Sequence, residues 1–202
     1  MTETLDAIDP LRSVLLVMDY QSGILERLEN ADELIERADR AITLARSRGA
    51  TVGYVRVAFT DADYENVPST SRMWTRVAQA GRAFHADAPA TAIHDQLAPE
   101  PGDVVVRKVR VGAFSTTDLD AQLRQRGVDT LILAGTSTSG VVLSTVRDAS
   151  DRDYRVLVLR DVSADPQPDV HEFLTTRVFP AQAEVITLGE LEDLLAPAAA
   201  DG

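Results

Sequence analysis

Thr130-Leu-Ile-Leu-Ala134, running into Gly135 and the polar stretch Thr136-Ser-Thr-Ser-Gly140, sets the architecture of this chain. Five apolar residues bounded by a glycine and a hydroxyl-rich turn read as a short strand buried on both faces. Beyond the turn, a helical pattern runs from about Val141 to Arg152. Strand, tight turn and helix in that order are one half of a βαβ unit, and a chain that repeats them builds a mainly parallel sheet covered on both faces.

The pattern recurs in both directions. Upstream, Val14-Leu-Leu-Val-Met18 is an apolar run ending in Asp19, and Asn30 to Arg48 places Leu34, Ile35, Ala38, Ile42 and Leu44 at helical spacing before Gly49. Thr51 to Val57 and Asp103 to Lys108 read as two further strands, with a helix after Thr117 that carries Asp118 in its first turn and stops at Gly127. Downstream, a strand is expected over Arg155 to Leu159, a helix over Asp169 to Val178, a short strand over Glu184 to Ile186 and a last helix near Glu190 to Leu195. The tail 196–202 reads as frayed. Only Thr60 to Pro101 breaks the rhythm. That stretch is either a lid or dimer arm, or an irregular connection whose aromatics, Trp74 and Phe84, fill a satellite core.

Bulk composition narrows the class. At 202 residues the length fits a single domain spanning 1–202, and 45% apolar against 26% charged residues is the balance of a chain that folds. No stretch approaches the roughly 20 consecutive apolar residues of a membrane span. The acidic start, Met1 to Asp6, resembles neither a signal nor a transit peptide. With no cysteine there is no disulfide framework and no thiolate metal site, so a cytoplasmic location is expected. The net charge of −12 argues against nucleic acid and anionic membranes as partners. A small-molecule substrate is the expected partner, and no metal or organic cofactor is implied.

Ligands of open α/β sheets collect beyond the carboxyl ends of the strands. Asp19, Lys108 and the turn 136–140 all fall at such ends. Lys108 is the only lysine beside 19 arginines; its compact ammonium can do what a guanidinium cannot, because its pKa moves readily on burial. Arg107 and Arg110 beside it read as outward-facing. Gln21 either orients a ligand or faces solvent. Phe114 and Trp74 suit a pocket wall, although a core position serves Phe114 equally well. His85 and His94 are expected at the surface, and His171 in a packing or hydrogen-bonding role.

Arg107-Lys108-Val-Arg-Val-Gly-Ala-Phe114, together with Gly127 to Ala149, the strand ending in Asp19, and the segment from Asp151 to the His171-bearing helix, resembles the isochorismatase-like (cysteine hydrolase) superfamily. The resemblance spans nearly the whole chain and is weakest between Thr60 and Pro101. It implies a six-stranded parallel sheet in a three-layer α/β/α sandwich, Rossmann-like, assembled as a homodimer or homotetramer. It also implies a cis peptide in the turn Gly135-Thr136-Ser137.

Amidase members of this superfamily use an Asp–Lys–Cys triad. Asp19 matches the aspartate and Lys108 the lysine, but Val141 stands at the cysteine position. Covalent thiol catalysis is therefore excluded. The metal-site histidines of the nicotinamidases are missing too, since the corresponding stretch reads Asp61-Ala-Asp63. The isochorismatases proper work without the cysteine: their aspartate is thought to protonate an enol carbon, and water captures the cation. They carry glycine where Val141 stands, which speaks against isochorismate itself.

The expected activity is thus hydrolysis of a small metabolite by non-covalent acid/base chemistry. Asp19 is the proton donor or base, and Lys108 tunes it or holds an anionic group. Gln21, Phe114, Thr136, Ser137, Thr138 and Val141 surround the substrate, with turn amides available to a carboxylate. Two alternatives stand beside it. A hydroxyl of Ser137, Thr138 or Ser139 could replace the thiol, although no histidine lies nearby in sequence to act as base. Or Asp19 and Lys108 are an inherited buried pair in a catalytically silent relative that binds a small molecule or a protein.

Overall fold

The computed structural model describes residues 5–195, so the tail expected to fray lies outside the described residues. Six strands form one sheet: β1 (Ser13–Met18), β2 (Thr51–Val57), β3 (Val104–Lys108), β4 (Thr130–Gly135), β5 (Arg155–Leu159) and β6 (Glu184–Ile186). All are parallel, in the order β3-β2-β1-β4-β5-β6. The expected three-layer α/β/α sandwich with a six-stranded, mainly parallel sheet is borne out, and every strand pair is parallel.

The continuous apolar runs follow from burial on both faces. Along β1, Val14, Leu16 and Met18 join one core with Leu131, Leu133, Val156 and Val158, while Leu15 and Val17 join the other with Ile132, Leu157 and Leu159. The second of these cores is closed by the helix Ala31–Ser47, whose Leu34, Ile35, Ala38, Ala41, Ile42 and Ala45 form one apolar stripe. The first is closed by Leu119 and Leu123 of the helix Leu119–Gln125 and by Val146 and Ala149 of the helix Leu143–Ser150.

Several boundaries differ from expectation for identifiable reasons. Asp118 is the residue before the helix Leu119–Gln125, not part of its first turn. The helix expected from Val141 starts earlier and more loosely, as a π turn over Thr138–Val142 that leads into Leu143–Ser150. The helix expected over Asp169–Val178 is α-helical only over Pro168–Phe173 and continues as a π segment. The last helix begins at Leu188, where Thr187 and Glu190 form a reciprocal capping box.

The irregular stretch contains two α-helices, Asp61–Glu65 and Arg72–Ala80, and three 3-10 turns, Gly81–Phe84, Pro89–Thr91 and Asp95–Leu97. Phe59, Val67 and Val77 form a satellite core there, with Trp74 and Phe84 packed on it half-buried. His85 is likewise half-buried, stacked on Tyr64 with ring centroids 6.4 Å apart, so it is not the free surface residue expected.

Candidate active site

The strand order reverses between β1 and β4, so the chain leaves these two neighbours in opposite directions. A crevice opens beyond their carboxyl ends, where such sheets bind ligands. Here it is a cavity of about 790 Å³, lined among others by Asp19, Lys108, Thr136, Ser137 and Val141.

Asp19 ends β1 with a left-handed backbone (φ 59°), a conformation aspartate tolerates better than most residues. Its amide donates to the Val55 carbonyl at 2.8 Å, and its carbonyl accepts from Thr136 Oγ1 at 2.7 Å. The Thr136 amide in turn donates to the Met18 carbonyl at 3.1 Å. The ends of β1 and β4 are thus sewn together under the cavity. Gly135 lets the following turn pack close over the end of β4, since a Cβ there would meet Val142 Cγ2 at 2.8 Å. The Thr136–Ser137 peptide is cis, as the resemblance implied.

Lys108 ends β3, with β2 between it and β1. Strands lie about 4.8 Å apart, so a side chain must cross about 10 Å to reach the β1 end. Only a long, flexible one can. Lys108 Nζ sits 2.9 Å from Asp19 Oδ2 and 3.2 Å from the Arg110 carbonyl. Both residues are buried, at 2% and 5% exposure. Asp19 Oδ1, equally buried, has no hydrogen-bond partner among the described residues. Burial pushes the Asp19 carboxyl above its ordinary value, while Lys108 and, more weakly, the Val57 amide pull the other way.

Not every expected residue faces the cavity. Gln21 neither meets solvent nor lines the crevice. Its side chain accepts from the Val57 amide at 2.7 Å and donates to the Val57 and Thr91 carbonyls at 2.9 and 2.8 Å, stapling the β1 exit to β2 and the irregular stretch. Phe114 belongs to the core, stacked on Tyr154 at 5.9 Å. Trp74 lines a separate depression. Thr138 is fully buried behind the turn, its Oγ1 2.8 Å from His171 Nδ1. Sequence spacing had placed no histidine near this turn; the fold brings one from β5's far side.

The turn amides are largely spent. Thr138 N–H donates to the Ala164 carbonyl at 2.8 Å and Ser139 N–H to Asp165 Oδ2 at 2.8 Å, while Gly140 and Val142 both donate to the Ser137 carbonyl. These four amides are therefore not available to a carboxylate. Side chains supply the positive charge instead. Arg27, Arg76 and Arg110 line the cavity, and none has a carboxylate within 4 Å among the described residues. Arg110 thus corrects the expectation that it faces outward, whereas Arg107 does turn away, pairing with Asp63 at 2.6 Å.

Sequence reading missed Arg27, Arg76 and Asp165. Asp165 follows β5 and so obeyed the strand-end rule that found Asp19; the arginines sit on connections where no periodicity marks the inward face.

Comparison with known proteins supplies the family to which this fold belongs. The isochorismatase domain family matches residues 13–190, and the chain belongs to that family. It is 31% identical over 182 residues to the uncharacterized isochorismatase family protein YwoC of Bacillus subtilis, covering 89% of this chain and 92% of that one. To the ureidoacrylate amidohydrolase RutB of Methylobacterium radiotolerans it is 32% identical over 184 residues, covering 81% and 71%. Among solved structures, a cysteine hydrolase from Pseudomonas syringae pv. phaseolicola superposes with a TM-score of 0.85 at 28% identity, covering 96% and 98%. This chain differs from what that description names in having no cysteine at all.

Proposed function

We propose that the protein hydrolyses a small anionic metabolite by acid/base chemistry, with no covalent bond to the enzyme. The observation that carries this reading is the state of Asp19: one oxygen on Lys108, the other without a hydrogen-bond partner among the described residues, in a carboxyl whose proton affinity burial raises. Such a group can hold a proton and deliver it from its free oxygen. On an enol ether, the carboxyl gives its proton to the terminal enol carbon, leaving an oxygen-stabilised cation. Water adds to that cation and returns a proton to the Asp19 carboxylate. The resulting hemiketal breaks into a ketone and an alcohol. Val141 stands where a smaller residue would admit a ring, so an acyclic substrate fits this site better than a cyclic one.

Hydroxyl nucleophiles fare poorly. Ser137 and Ser139 line the cavity without a histidine beside them, and Thr138, which has His171, is sealed off from it. Amide hydrolysis of the kind named for RutB would need a nucleophile that this site lacks, unless Asp19 activates water directly. The silent-binder reading draws on the same buried pair, but the open cavity beside Val141 supports turnover.

The test is a panel of acyclic enol ethers, esters and amides carrying a carboxylate, assayed with wild type and Asp19→Asn, the fold of each checked by near-ultraviolet circular dichroism. Loss of turnover in a folded Asp19→Asn protein supports the reading. Wild-type silence across the panel favours the binder.

A further inference from the structure

Three cations stand in the stretch Arg107 to Arg110, and each is used differently. Arg107 turns away, donating to the Ala58 carbonyl at 2.9 Å and to Asp63 at 2.6 Å. Lys108 is buried and held by Asp19 and by the Arg110 carbonyl. Arg110 keeps its charge unmatched. Its Nη1 donates to the Val109 carbonyl at 2.7 Å, while Nε and Nη2 have no acceptor among the described residues.

A shortage of acid does not explain the missing counter-charge, since acidic residues outnumber basic ones 32 to 20 in this chain. Arg27 and Arg76 also line the cavity without a carboxylate partner, but both are exposed, where water and salt screen them. Arg110 is half-buried. A guanidinium drawn partly out of water attracts an anion more strongly, because the effective dielectric constant around it falls.

The loop that carries Arg110 is fastened at several points. Lys108 grips the Arg110 carbonyl at 3.2 Å, Val109 N–H donates to Thr116 Oγ1 at 3.3 Å, and Ala113 N–H donates to Thr145 Oγ1 at 3.2 Å. Val111, the next residue, lines the cavity and is 39% exposed; a Cβ on Gly140 of the turn would lie 4.0 Å from it. The loop thus presents a fork of donors and an apolar side chain together, beside the turn that follows β4. A separate observation marks this cavity as a place for a ligand. Asp19 lines it at 5% exposure, with a buried oxygen that has no hydrogen-bond partner among the described residues.

We infer that Arg110 is the specificity-determining residue of this site: its guanidinium takes the carboxylate of a short acyclic substrate whose reacting bond lies at Asp19. Planar guanidinium and planar carboxylate match through two parallel hydrogen bonds. Lys108 is then left to Asp19, so one cation tunes the acid and the other selects the substrate. This deepens the proposed function by giving the substrate's anionic group a residue, and rests on that reading only for the position of the reacting bond.

The experiment uses two probes that cannot be hydrolysed, 2-butoxypropanoate and its neutral shape match 3-butoxybutan-2-one. Each is titrated into the full chain and followed by NMR chemical shifts, with the fold of every variant checked by near-ultraviolet circular dichroism. Wild type should bind the carboxylate about tenfold tighter than the ketone, the yield of a charge-assisted pair in a half-buried place. Arg110→Gln should remove most of that preference and leave the ketone's affinity unchanged. Arg110→Lys should keep a preference of about threefold, because an ammonium retains the charge and lacks the fork. Arg27→Gln and Arg76→Gln should leave the preference in place. Equal affinity for the two probes in wild type, no binding of either, a preference that survives Arg110→Gln, or its loss in Arg27→Gln or Arg76→Gln would overturn the inference. Neither probe reacts, so wild-type silence across the substrate panel would count against the proposed chemistry without touching this result.

Discussion

Lys108 Nζ lies 2.9 Å from one oxygen of the Asp19 carboxyl, and the other oxygen, sealed from solvent, is left without a hydrogen bond. The pair is asymmetric: the ammonium is fastened on two sides, by Asp19 and the Arg110 carbonyl, while one oxygen of the cavity-lining Asp19 has no hydrogen-bond partner among the described residues. A buried ion pair serving stability alone would have both oxygens satisfied.

If Asp19 acts as the acid, its protonated form is the active one. The rate, kcat/KM, should then fall as pH rises through the Asp19 pKa, with a midpoint above the ordinary value of 3.8. Lys108 lowers that pKa, so Lys108→Met should move the falling limb to higher pH. A pH–rate profile of both proteins checks this; an unmoved limb assigns the acid to another group.

Stability should respond with the same sign. Asp19→Asn leaves Lys108 buried without a counter-charge and is expected to cost about 3–5 kcal/mol. Lys108→Met lets Asp19 take up a proton, so its deficit should be small in acid. Both proteins should lose stability as pH rises above 3.8, because the folded state holds the proton more tightly than the unfolded one; the deficit of Lys108→Met should open once pH passes the wild-type folded pKa and grow up to the variant's higher one. The double variant should lose this pH dependence. Urea melts at several pH values measure all three.

Gln21→Ala should leave the chemistry in place and weaken the fold. It removes three hydrogen bonds and strands buried backbone groups of Val57 and Thr91, at a cost of about 3 kcal/mol. A drop in melting temperature with kcat retained, measured well below that temperature, is the expected pair of results.

Val141→Gly should widen the cavity beside Asp19. The expected outcome is a gain in kcat/KM for cyclic enol ethers relative to acyclic ones, with a stability loss of about 2 kcal/mol from the deleted methyl groups and the freed backbone. Steady-state kinetics on matched substrates reads the ratio.

Much of this site could be read from the chain before folding. Asp19 and Lys108 stand at strand ends, and a parallel sheet puts all such ends on one rim; the scarcity of lysine singled out the second. What could not be read was side-chain direction on irregular backbone. Thr138 is one residue from the cavity-lining Ser137 and Ser139, yet the π turn swings it to the back, against His171. Phe114 and Gln21 were drawn inward by contacts with Tyr154 and Val57 that lie far away in sequence. Arg110 went the other way, because Lys108 grips its carbonyl and the chain bends over the cavity there.

The most direct measurement is the titration of Asp19 itself, followed by carbon-13 NMR of its side-chain carboxyl in wild type and in Lys108→Met. The account predicts a midpoint above the ordinary carboxylate value, rising further once Lys108 is gone. A wild-type midpoint at or below that value would mean that Lys108 outweighs burial, leaving Asp19 a fixed anion with no proton to give.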